Sequence, residues 1–417
     1  MMTKYRRSTQ LWLTLLGIWA VVGFSQPKLI PGVFVATVGI VLSAMVVLSH
    51  FRAPRIPIMP IALAALAIAS PLWAGTTIGQ PRALLFAAVT ISAIIFASYV
   101  TPKDAIRILD TGFKVVAVTT IVMMIVARGA AFETRWPNEG ALIGPYVHKN
   151  ILGAVLLLGL VTALYARTRT ARRFELVSWV AVYGGLTALI QSSAAIVLGI
   201  TAVLLAVVMN SWSKRTRTHR FVMVTLTFLW LVIIVPLLIA NVESLLAIVG
   251  RDLTLSGRNR IWQGAILAWN EQPWFGYGWG VPFSPESNAS AIISYFTYWI
   301  VPQAHNGYLS VALQLGWIGF TLFAAYTLRI LFGAFRHATE DATSESLWLF
   351  QIAFVFTMHN IFESWLDNTH WFLAVAIGVW LIAIRPKRGN ATEPPPLALV
   401  EALPQPIERV DAGLTVS

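Results

Sequence analysis

The sequence predicts an all-α polytopic membrane protein. Of the 417 residues, 57% are hydrophobic and only 12% carry a charge, and the mean hydropathy is +0.71. A soluble chain of this length carries about twice that share of charged residues. Apolar runs of roughly 17–25 residues recur along the chain, and each is long enough to cross the hydrocarbon core as a helix. Because lipid offers the backbone no hydrogen-bond partners, these runs are expected to be helices.

About twelve apolar spans can be placed along the chain. They lie near residues 10–25, 29–49, 56–74, 83–100, 112–128, 150–166, 175–190, 194–209, 221–240, 306–333, 347–361 and 370–385. The first span follows basic residues and has no small-residue cleavage site behind it, which indicates a membrane span and not a cleaved signal peptide. The chain has no cysteine, so neither disulfides nor thiol chemistry enter the prediction.

The positive charges predict the orientation of these spans. With Met1 in the cytoplasm, most of the 30 lysines and arginines fall on the inner side. Cytoplasmic loops carry this excess, so we expect a multi-pass protein of the cytoplasmic (inner) membrane with both termini in the cytoplasm. The net charge of +12 then faces anionic lipid of the inner leaflet, and no nucleic-acid partner is needed to explain it.

Two stretches of the chain are not membrane spans. Residues 241–305 form the longest polar interval, on the outer face, and their aromatic residues predict a structured loop at the membrane interface. Residues 389–417 include Pro394-Pro395-Pro396 and predict a disordered cytoplasmic tail. The transmembrane domain therefore covers residues 1–388, with the extracytoplasmic loop 241–305 included.

The unusual polar side chains are predicted to lie on the outer face. They come from four segments: His148-Lys149-Asn150, Gln191-Ser192-Ser193, the large loop with Arg258, Arg260 and His305, and the last outer turn with Glu363, Asp367 and His370. Ionisable residues at membrane depth are costly and usually mark a site. We therefore expect the functional site on this face.

The large loop carries candidates for anion binding and proton transfer. Arg258 and Arg260 precede a run with apolar residues at helical intervals, so both are expected at the start of a short amphipathic helix. A helix N-terminus with guanidinium groups favours a diphosphate; the alternative is that both arginines bind lipid headgroups. His305 begins a predicted span and is a candidate general base for a hydroxyl proton; the alternative is a histidine that hydrogen-bonds a carbonyl at the helix start.

Lys149 and Glu363 are further candidates for the site. A lysine at a helix N-terminus opposes the helix dipole, and a nearby phosphate would compensate for it; the alternative is a lysine that extends to the membrane interface. Glu363 and Asp367 are the outer carboxylates closest to a span. They orient an arginine or bind sugar hydroxyls, or else they lie in a solvated turn.

Motifs for ATP, nucleotide-sugar or metal chemistry are absent from the sequence. There is no Asp-x-Asp pair, no His-Glu-x-x-His, no P-loop and no cysteine cluster. Gly276, Gly278 and Gly280 predict a tight interfacial turn and not a dinucleotide site, because no strand precedes them. We therefore expect no cofactor and no metal ion.

The candidate residues resemble motifs of the O-antigen ligase and polysaccharide polymerase superfamily, over roughly residues 140–385. The similar positions are Ser256-Gly257-Arg258 with Trp262, Pro273 with Gly276 and Gly278, His305-Asn306 with Tyr308 and Leu309, Leu315-Gly316 with Gly319, and Asn360 with Glu363 and Ser364. His148-Lys149-Asn150 with Leu152-Gly153 is more similar to the exopolysaccharide polymerase branch than to the ligase branch. Many members carry an arginine in the turn where this chain has Gln191-Ser192-Ser193-Ala194, and Lys149 is the candidate that replaces its charge.

This resemblance implies a GT-C-like membrane glycosyltransferase with one large outer loop. Its donor would be a growing glycan on undecaprenyl diphosphate and its acceptor another lipid-linked repeat unit, so that the product is an exopolysaccharide or surface polysaccharide. Arg258 and Arg260 would stabilise the departing diphosphate, and His305 would accept the proton of the attacking hydroxyl. The resemblance implies substrate contacts for His148, Lys149, Asn150, Asn306 and Glu363.

Two other functions are compatible with these residues. A ligase would transfer the lipid-linked glycan to a different acceptor. A transporter for lipid-linked sugar would need polar residues through the membrane and on both faces, whereas the candidates here lie on the outer side. The expected partners are the undecaprenyl-diphosphate-linked glycan, membrane lipids, and a flippase and chain-length regulator of the same system.

Overall fold

The computed structural model of the chain consists of α-helices. It describes residues 7–50, 53–134, 138–166, 173–212, 258–364, 366 and 368–384, together with short pieces between 216 and 225. Within these residues the only extended pairing is an isolated antiparallel bridge between Phe132 and Leu142.

The described helices follow one another along the chain with short connections. They are α1 (Arg7–Val22), α2 (Gly32–His50), α3 (Ile58–Ala69), α4 (Pro71–Ala74), α5 (Gln80–Tyr99), α6 (Pro102–Val126), α7 (Arg128–Ala131), α8 (Lys149–Tyr165), α9 (Arg173–Ile190), α10 (Ser193–Trp212), α11 (Arg258–Glu271), α12 (Asn288–Thr297), α13 (Gly307–Asp341), α14 (Ser344–Phe362) and α15 (Thr369–Ile384).

Many of these helices are suited to a bilayer. In the described part of the chain, α2, α5, α6 and α13 are long and apolar enough to cross a membrane, and shorter apolar helices accompany them. Large apolar side chains such as Leu48, Ile125 and Phe332 are exposed on the helix surfaces, where lipid would contact them. The protein is an all-α polytopic membrane protein, as the composition predicts.

Helix α15 lies at the centre of the bundle. Its residues from Thr369 to Trp380 are all buried, whichever face of the helix they occupy. A helix that is apolar all round is expected in such a position. The indole N–H of Trp371 donates to Thr90 at 2.9 Å, and that of Trp380 donates to the carbonyl of Val100 at 2.8 Å. These two bonds join α15 to the middle of α5 and to Val100, the residue that follows α5.

Helix α13 is broken at Gly316. The backbone of Gly316 has φ +62° and ψ −159°, which an L side chain adopts only with strain. A Cβ atom at this position would also overlap the backbone of Trp274. The predicted span at 306–333 is therefore a helix that continues to Asp341 and contains a break near its N-terminal end.

The glycine-containing turn at residues 273–280 supplies the hydrogen bonds that the break removes. The backbone N–H groups of Tyr277 and Gly278 donate to the carbonyls of Leu313 and Gln314, and those of Trp317 and Ile318 donate to the carbonyls of Pro273 and Trp274. Backbone groups at membrane depth must find partners within the protein. The turn is tight, as predicted. Trp279 at its end is buried against Phe86, with ring centres 4.3 Å apart, whereas Trp274 and Phe275 at its start are exposed.

Two predicted spans have different limits in the structure. The span predicted at 56–74 is divided at Ser70 into α3 and α4, because a proline follows and cannot donate a backbone hydrogen bond. The span predicted at 112–128 begins already at Pro102, where the side chain of Thr101 caps the helix. The predicted start at residue 112 is too late because charged residues occupy the first turns of α6, where an apolar pattern is therefore absent.

Several predictions fall outside the described residues. The predicted span at 221–240 is described only in short pieces, and residues 241–257 of the outer loop and the tail at 389–417 are not described. The described part of the loop contains α11 and α12, which pack against each other. The chain divides into the compact units Met1–Ala383 and Ile384–Ser417, and of the second only Ile384 belongs to the described residues.

Candidate functional site

A buried carboxylate, Glu363, is the centre of the candidate site. It follows the end of α14, and its side chain is 1% exposed, which excludes the solvated-turn alternative. Its Oε1 atom accepts hydrogen bonds from Arg258 Nη2 at 2.7 Å and Asn150 Nδ2 at 2.6 Å. Its Oε2 atom accepts from His305 Nδ1 at 3.0 Å and Gln303 Nε2 at 3.2 Å. One carboxylate thus connects three segments that are far apart in the sequence; Asp367 lies outside the described residues.

The electrostatic surroundings keep Glu363 ionised. Burial alone raises the pKa of this carboxyl, but the hydrogen bond and charge of His305 and the charge of Arg258 lower it by more. The pKa of Glu363 therefore lies below its usual value of 4.5. At neutral pH the carboxylate is a fixed counter-ion for Arg258, whose side chain is 14% exposed.

The ring of His305 is oriented by Glu363. A carboxylate oxygen only accepts hydrogen bonds, so in the neutral ring the proton lies on Nδ1 and Nε2 carries the lone pair. The backbone of His305 has φ +50°, an uncommon value for a residue other than glycine. Strained backbones of this kind cluster at functional sites. His305 has the arrangement of a general base, with one nitrogen fixed and the other able to accept a proton.

Asn306 and His148 cap the helices on either side of the site. The Oδ1 atom of Asn306 accepts the N–H of Leu309 at 3.0 Å and caps α13, and Nδ1 of His148 accepts the N–H of Asn150 at 3.2 Å and caps α8. Burial is the main reason that the pKa of His148 is lower than its usual 6.5. The ring is therefore neutral at neutral pH, and its Nε2–H is a donor.

Arg260 and Lys149 lie outside the hydrogen-bond network of Glu363. Arg258 and Arg260 both belong to the first turn of α11, as predicted. Arg260 is nevertheless exposed, and its guanidinium carbon lies 5.9 Å from the centre of the Tyr298 ring, a cation–π distance. Lys149 Nζ donates to the carbonyl of Gln191 at 3.3 Å, which joins α8 to the turn between α9 and α10.

A cavity of about 600 Å³ opens beside the network. Its size is typical of small-molecule sites. Polar side chains that line it are Gln26, Arg82, Asn138, His148, Asn150, Gln303, His305, Gln314 and Asn368, and the aromatic ones are Trp279, Phe283 and Trp299. Three predicted site residues thus face one cavity. Glu363 does not line it but is bonded to the lining residues Asn150, Gln303 and His305, and Arg258 is bonded to Glu363 behind this wall.

Several residues of this wall were not predicted from the sequence. Gln26, Asn138 and Asn368 lie in connections between helices and Arg82 lies in the first turn of α5, and at such places a single polar residue is indistinguishable in the sequence from one in solvent. Arg82 carried one signal, because it is an isolated arginine on the predicted outer side of a chain whose positive charge is mostly in the predicted inner loops.

Comparison with known proteins identifies a family segment that covers much of the site. Residues 179–324 match the family model described as O-antigen ligase. The matched residues include Arg258, His305 and the break at Gly316, and they end before Glu363. No curated protein matches the chain.

Proposed function

Because the family match places this chain in the O-antigen ligase and polysaccharide polymerase superfamily, we propose that the protein is a polysaccharide polymerase. It joins undecaprenyl-diphosphate-linked repeat units into an exopolysaccharide or surface polysaccharide at the outer face of the cytoplasmic membrane. The observation that carries this proposal is the carboxylate of Glu363, which is bonded both to Arg258 and to His305, and of these two residues His305 lines a polar cavity. A base and a fixed cation are the two groups that glycosyl transfer from a diphosphate donor requires.

The proposed reaction is a displacement at the anomeric carbon of the donor sugar. A hydroxyl of the acceptor saccharide attacks this carbon, the bond to the diphosphate oxygen breaks, and the electron pair leaves with undecaprenyl diphosphate. His305 Nε2 takes the proton of the attacking hydroxyl. Glu363 stabilises the resulting imidazolium through its bond to Nδ1–H, in the way that the carboxylate of a catalytic triad stabilises its histidine.

Arg258 is proposed to stabilise the departing diphosphate. Its bond to Glu363 uses Nη2, so that Nη1 and Nε can donate to phosphate oxygens. A guanidinium that is already fixed by an ion pair needs no reorganisation when charge develops, which makes its stabilisation effective. Arg260 and Lys149 provide further cations on the same face for the diphosphate or for lipid headgroups.

The remaining predicted residues are proposed to bind and position the saccharide. His148 offers its Nε2–H to a sugar hydroxyl, and Asn150 contacts the cavity while it holds Glu363. Asn306 fixes the start of α13 next to His305. The excess of basic residues in the predicted inner loops supports a site on the outer face with both termini in the cytoplasm. A flippase would supply the lipid-linked unit, and a chain-length regulator would act on the product.

A reconstitution experiment tests this proposal. Purified protein in liposomes receives a lipid-linked oligosaccharide as both donor and acceptor, with a chelator present, and the products are sized on a gel. We expect a ladder that is lost in Arg258→Ala and His305→Ala. Arg128→Ala, which changes an exposed arginine outside the cavity, is the matched control and retains the ladder. A normal ladder in either site variant would remove that residue from the mechanism.

A ligase is the second candidate, because the matching family is described as O-antigen ligase. The same liposomes distinguish the two activities when a separate acceptor is added. Transfer to this acceptor without a ladder would identify a ligase. Absence of transfer to any acceptor would contradict both enzymes and favour transport of the lipid-linked sugar.

A further inference from the structure

The cavity beside His305 has the lining of a saccharide site. Amide side chains dominate its polar wall, among them Gln26, Asn138 and Gln303. An amide both donates and accepts hydrogen bonds and therefore suits sugar hydroxyls. Trp279 and Trp299 add aromatic surfaces, which suit the apolar faces of sugar rings.

Arg82 differs from the amide and aromatic residues of this lining because its side chain carries a charge. It is the only lysine, arginine, aspartate or glutamate among the described residues that line the cavity. Its side chain is exposed, and no salt bridge joins it to another described residue. The Glu363 carboxylate is already bonded to Arg258 and does not line the cavity. Among the described residues of the lining, Arg82 is thus a positive charge that no lining carboxylate balances.

The fold places Arg82 and Trp279 on the same wall. Arg82 lies in the first turn of α5, and Phe86, one helical turn later on the same face, stacks on Trp279. The turn that carries Trp279 also touches Arg82, since a Cβ on Gly280 would lie 3.2 Å from Arg82 Cδ. The N–H of Gly280 donates to Gln314 Oε1 at 2.6 Å, and this bond fixes Gly280 against α13.

We propose that this wall binds an acidic sugar of the repeat unit. The guanidinium of Arg82 pairs with the carboxylate of a uronic acid or of an acidic sugar substituent, and Trp279 contacts the sugar ring. One guanidinium balances one carboxylate, and its parallel N–H groups match the two carboxylate oxygens. The inference rests on the proposed function, because it names the class of repeat unit that the polymerase accepts.

The donor diphosphate is the other source of an anion for Arg82. Two features of the wall favour the sugar carboxylate. A diphosphate carries more charge than one guanidinium balances. The other polar side chains among the described lining residues are amides, serines and histidines, with no further lysine or arginine. The experiment therefore compares the two anions directly.

Ligand binding to the purified full-length protein in detergent provides a test that is independent of polymerisation. Thermal unfolding is followed at millimolar concentrations of sodium glucuronate, of glucose with sodium chloride at the same ionic strength, and of sodium pyrophosphate. A ligand that binds only the folded protein raises Tm, and at a given concentration a ligand that binds more tightly raises it more. The proteins are the wild type, Arg82→Gln, Arg82→Lys and, as a matched outer arginine, Arg128→Gln.

We expect glucuronate to raise Tm in the wild type and in Arg128→Gln. Its affinity for Arg82→Gln is expected to be about tenfold lower, because this variant lacks a charged hydrogen bond to the carboxylate. Arg82→Lys retains part of the shift because the charge remains. Glucose gives the same small shift in all four proteins. If the Tm shift depends on Arg82 with pyrophosphate but is absent with glucuronate, Arg82 binds the diphosphate and the acidic-sugar proposal is overturned. If both anions bind Arg82→Gln as they bind the wild type, Arg82 forms no anion site.

A folding defect and a failure of the proposed function can both be separated from these outcomes. The Tm without ligand and the elution volume show whether Arg82→Gln is folded, and Arg82→Lys provides a second variant with the charge retained. A protein that binds glucuronate through Arg82 but forms no ladder in liposomes would contradict the polymerase and leave the acidic-sugar site intact.

Discussion

Replacement of Glu363 by glutamine tests whether a buried charge holds the candidate site together. Glutamine keeps the size of the side chain and one acceptor oxygen. It removes the negative charge that pairs with Arg258, and it places an NH₂ group against side chains that are themselves donors. The segments with Arg258 and His305 are then no longer tied to the end of α14.

The expected loss of stability follows from the geometry of this carboxylate. It accepts four hydrogen bonds of 2.6–3.2 Å while its side chain is only 1% exposed. Removal of one partner from a buried ion pair costs about 3–5 kcal/mol. Because Arg258 retains some access to water at 14% exposure, we expect the lower end, about 3 kcal/mol in the free energy of unfolding.

The assay is chemical denaturation of the detergent-solubilised protein, followed by tryptophan fluorescence. Glu271→Gln, which changes an exposed carboxylate at the end of α11, is the matched control and is expected to unfold like the wild type. A loss in Glu363→Gln below about 1 kcal/mol, the size of a surface ion pair, would refute the reasoning.

The pKa of Glu363 adds a pH dependence to this prediction. Its folded pKa lies below the usual 4.5, so its contribution is complete above the unfolded pKa and is lost as the pH falls through the folded pKa. On acidification below about pH 4.5, the wild type therefore loses more stability than Glu363→Gln. Equal acid sensitivity of the two proteins would contradict the assignment of the charge to this residue.

Three further substitutions test the fold around the site. Gly316→Ala strains a left-handed backbone and overlaps neighbouring atoms, so we expect loss of the folded peak in size-exclusion chromatography, whereas Gly129→Ala, at an open position, elutes normally. Trp279→Ala removes the ring stacked on Phe86 and is expected to lower the free energy of unfolding by about 3–5 kcal/mol; a smaller loss in denaturation would show that the turn packs loosely. His148→Ala removes the cap of α8 at a cost of about 1 kcal/mol, and His148→Asn restores most of it; equal Tm values of the two variants would argue against the cap.

The fold class was predictable because it depends on properties that are summed over the chain. Span length and low charge determine whether a helix can cross a membrane, and they need no knowledge of packing. The break at Gly316 was not predictable, because a single glycine in an apolar run is compatible with a continuous helix. Its partners lie in the turn at residues 273–280, and only the folded structure shows that this turn supplies the missing hydrogen bonds.

The candidate site was predictable where the chemistry is local. His305 and Arg258, which the structure joins through Glu363, are conspicuous in the sequence as a titratable base and a cation between apolar spans, and Arg260, which is as conspicuous, lies outside the network. The environment of Glu363 was left open between a buried and a solvated position, since its burial depends on the packing of segments far from it in sequence. Arg82 lay outside the prediction for the same reason: its place in the cavity depends on the turn around Gly280.

The position of Glu363 near the end of the chain has a consequence for biogenesis. Synthesis proceeds from the N-terminus, so the segments with Arg258 and His305 are made before the segment with Glu363. The nascent protein therefore exposes a cation without its counter-ion until α14 is inserted. A chain that stops before residue 363 lacks the carboxylate that joins Arg258 to His305, so the network forms only once the last part of the protein has been made.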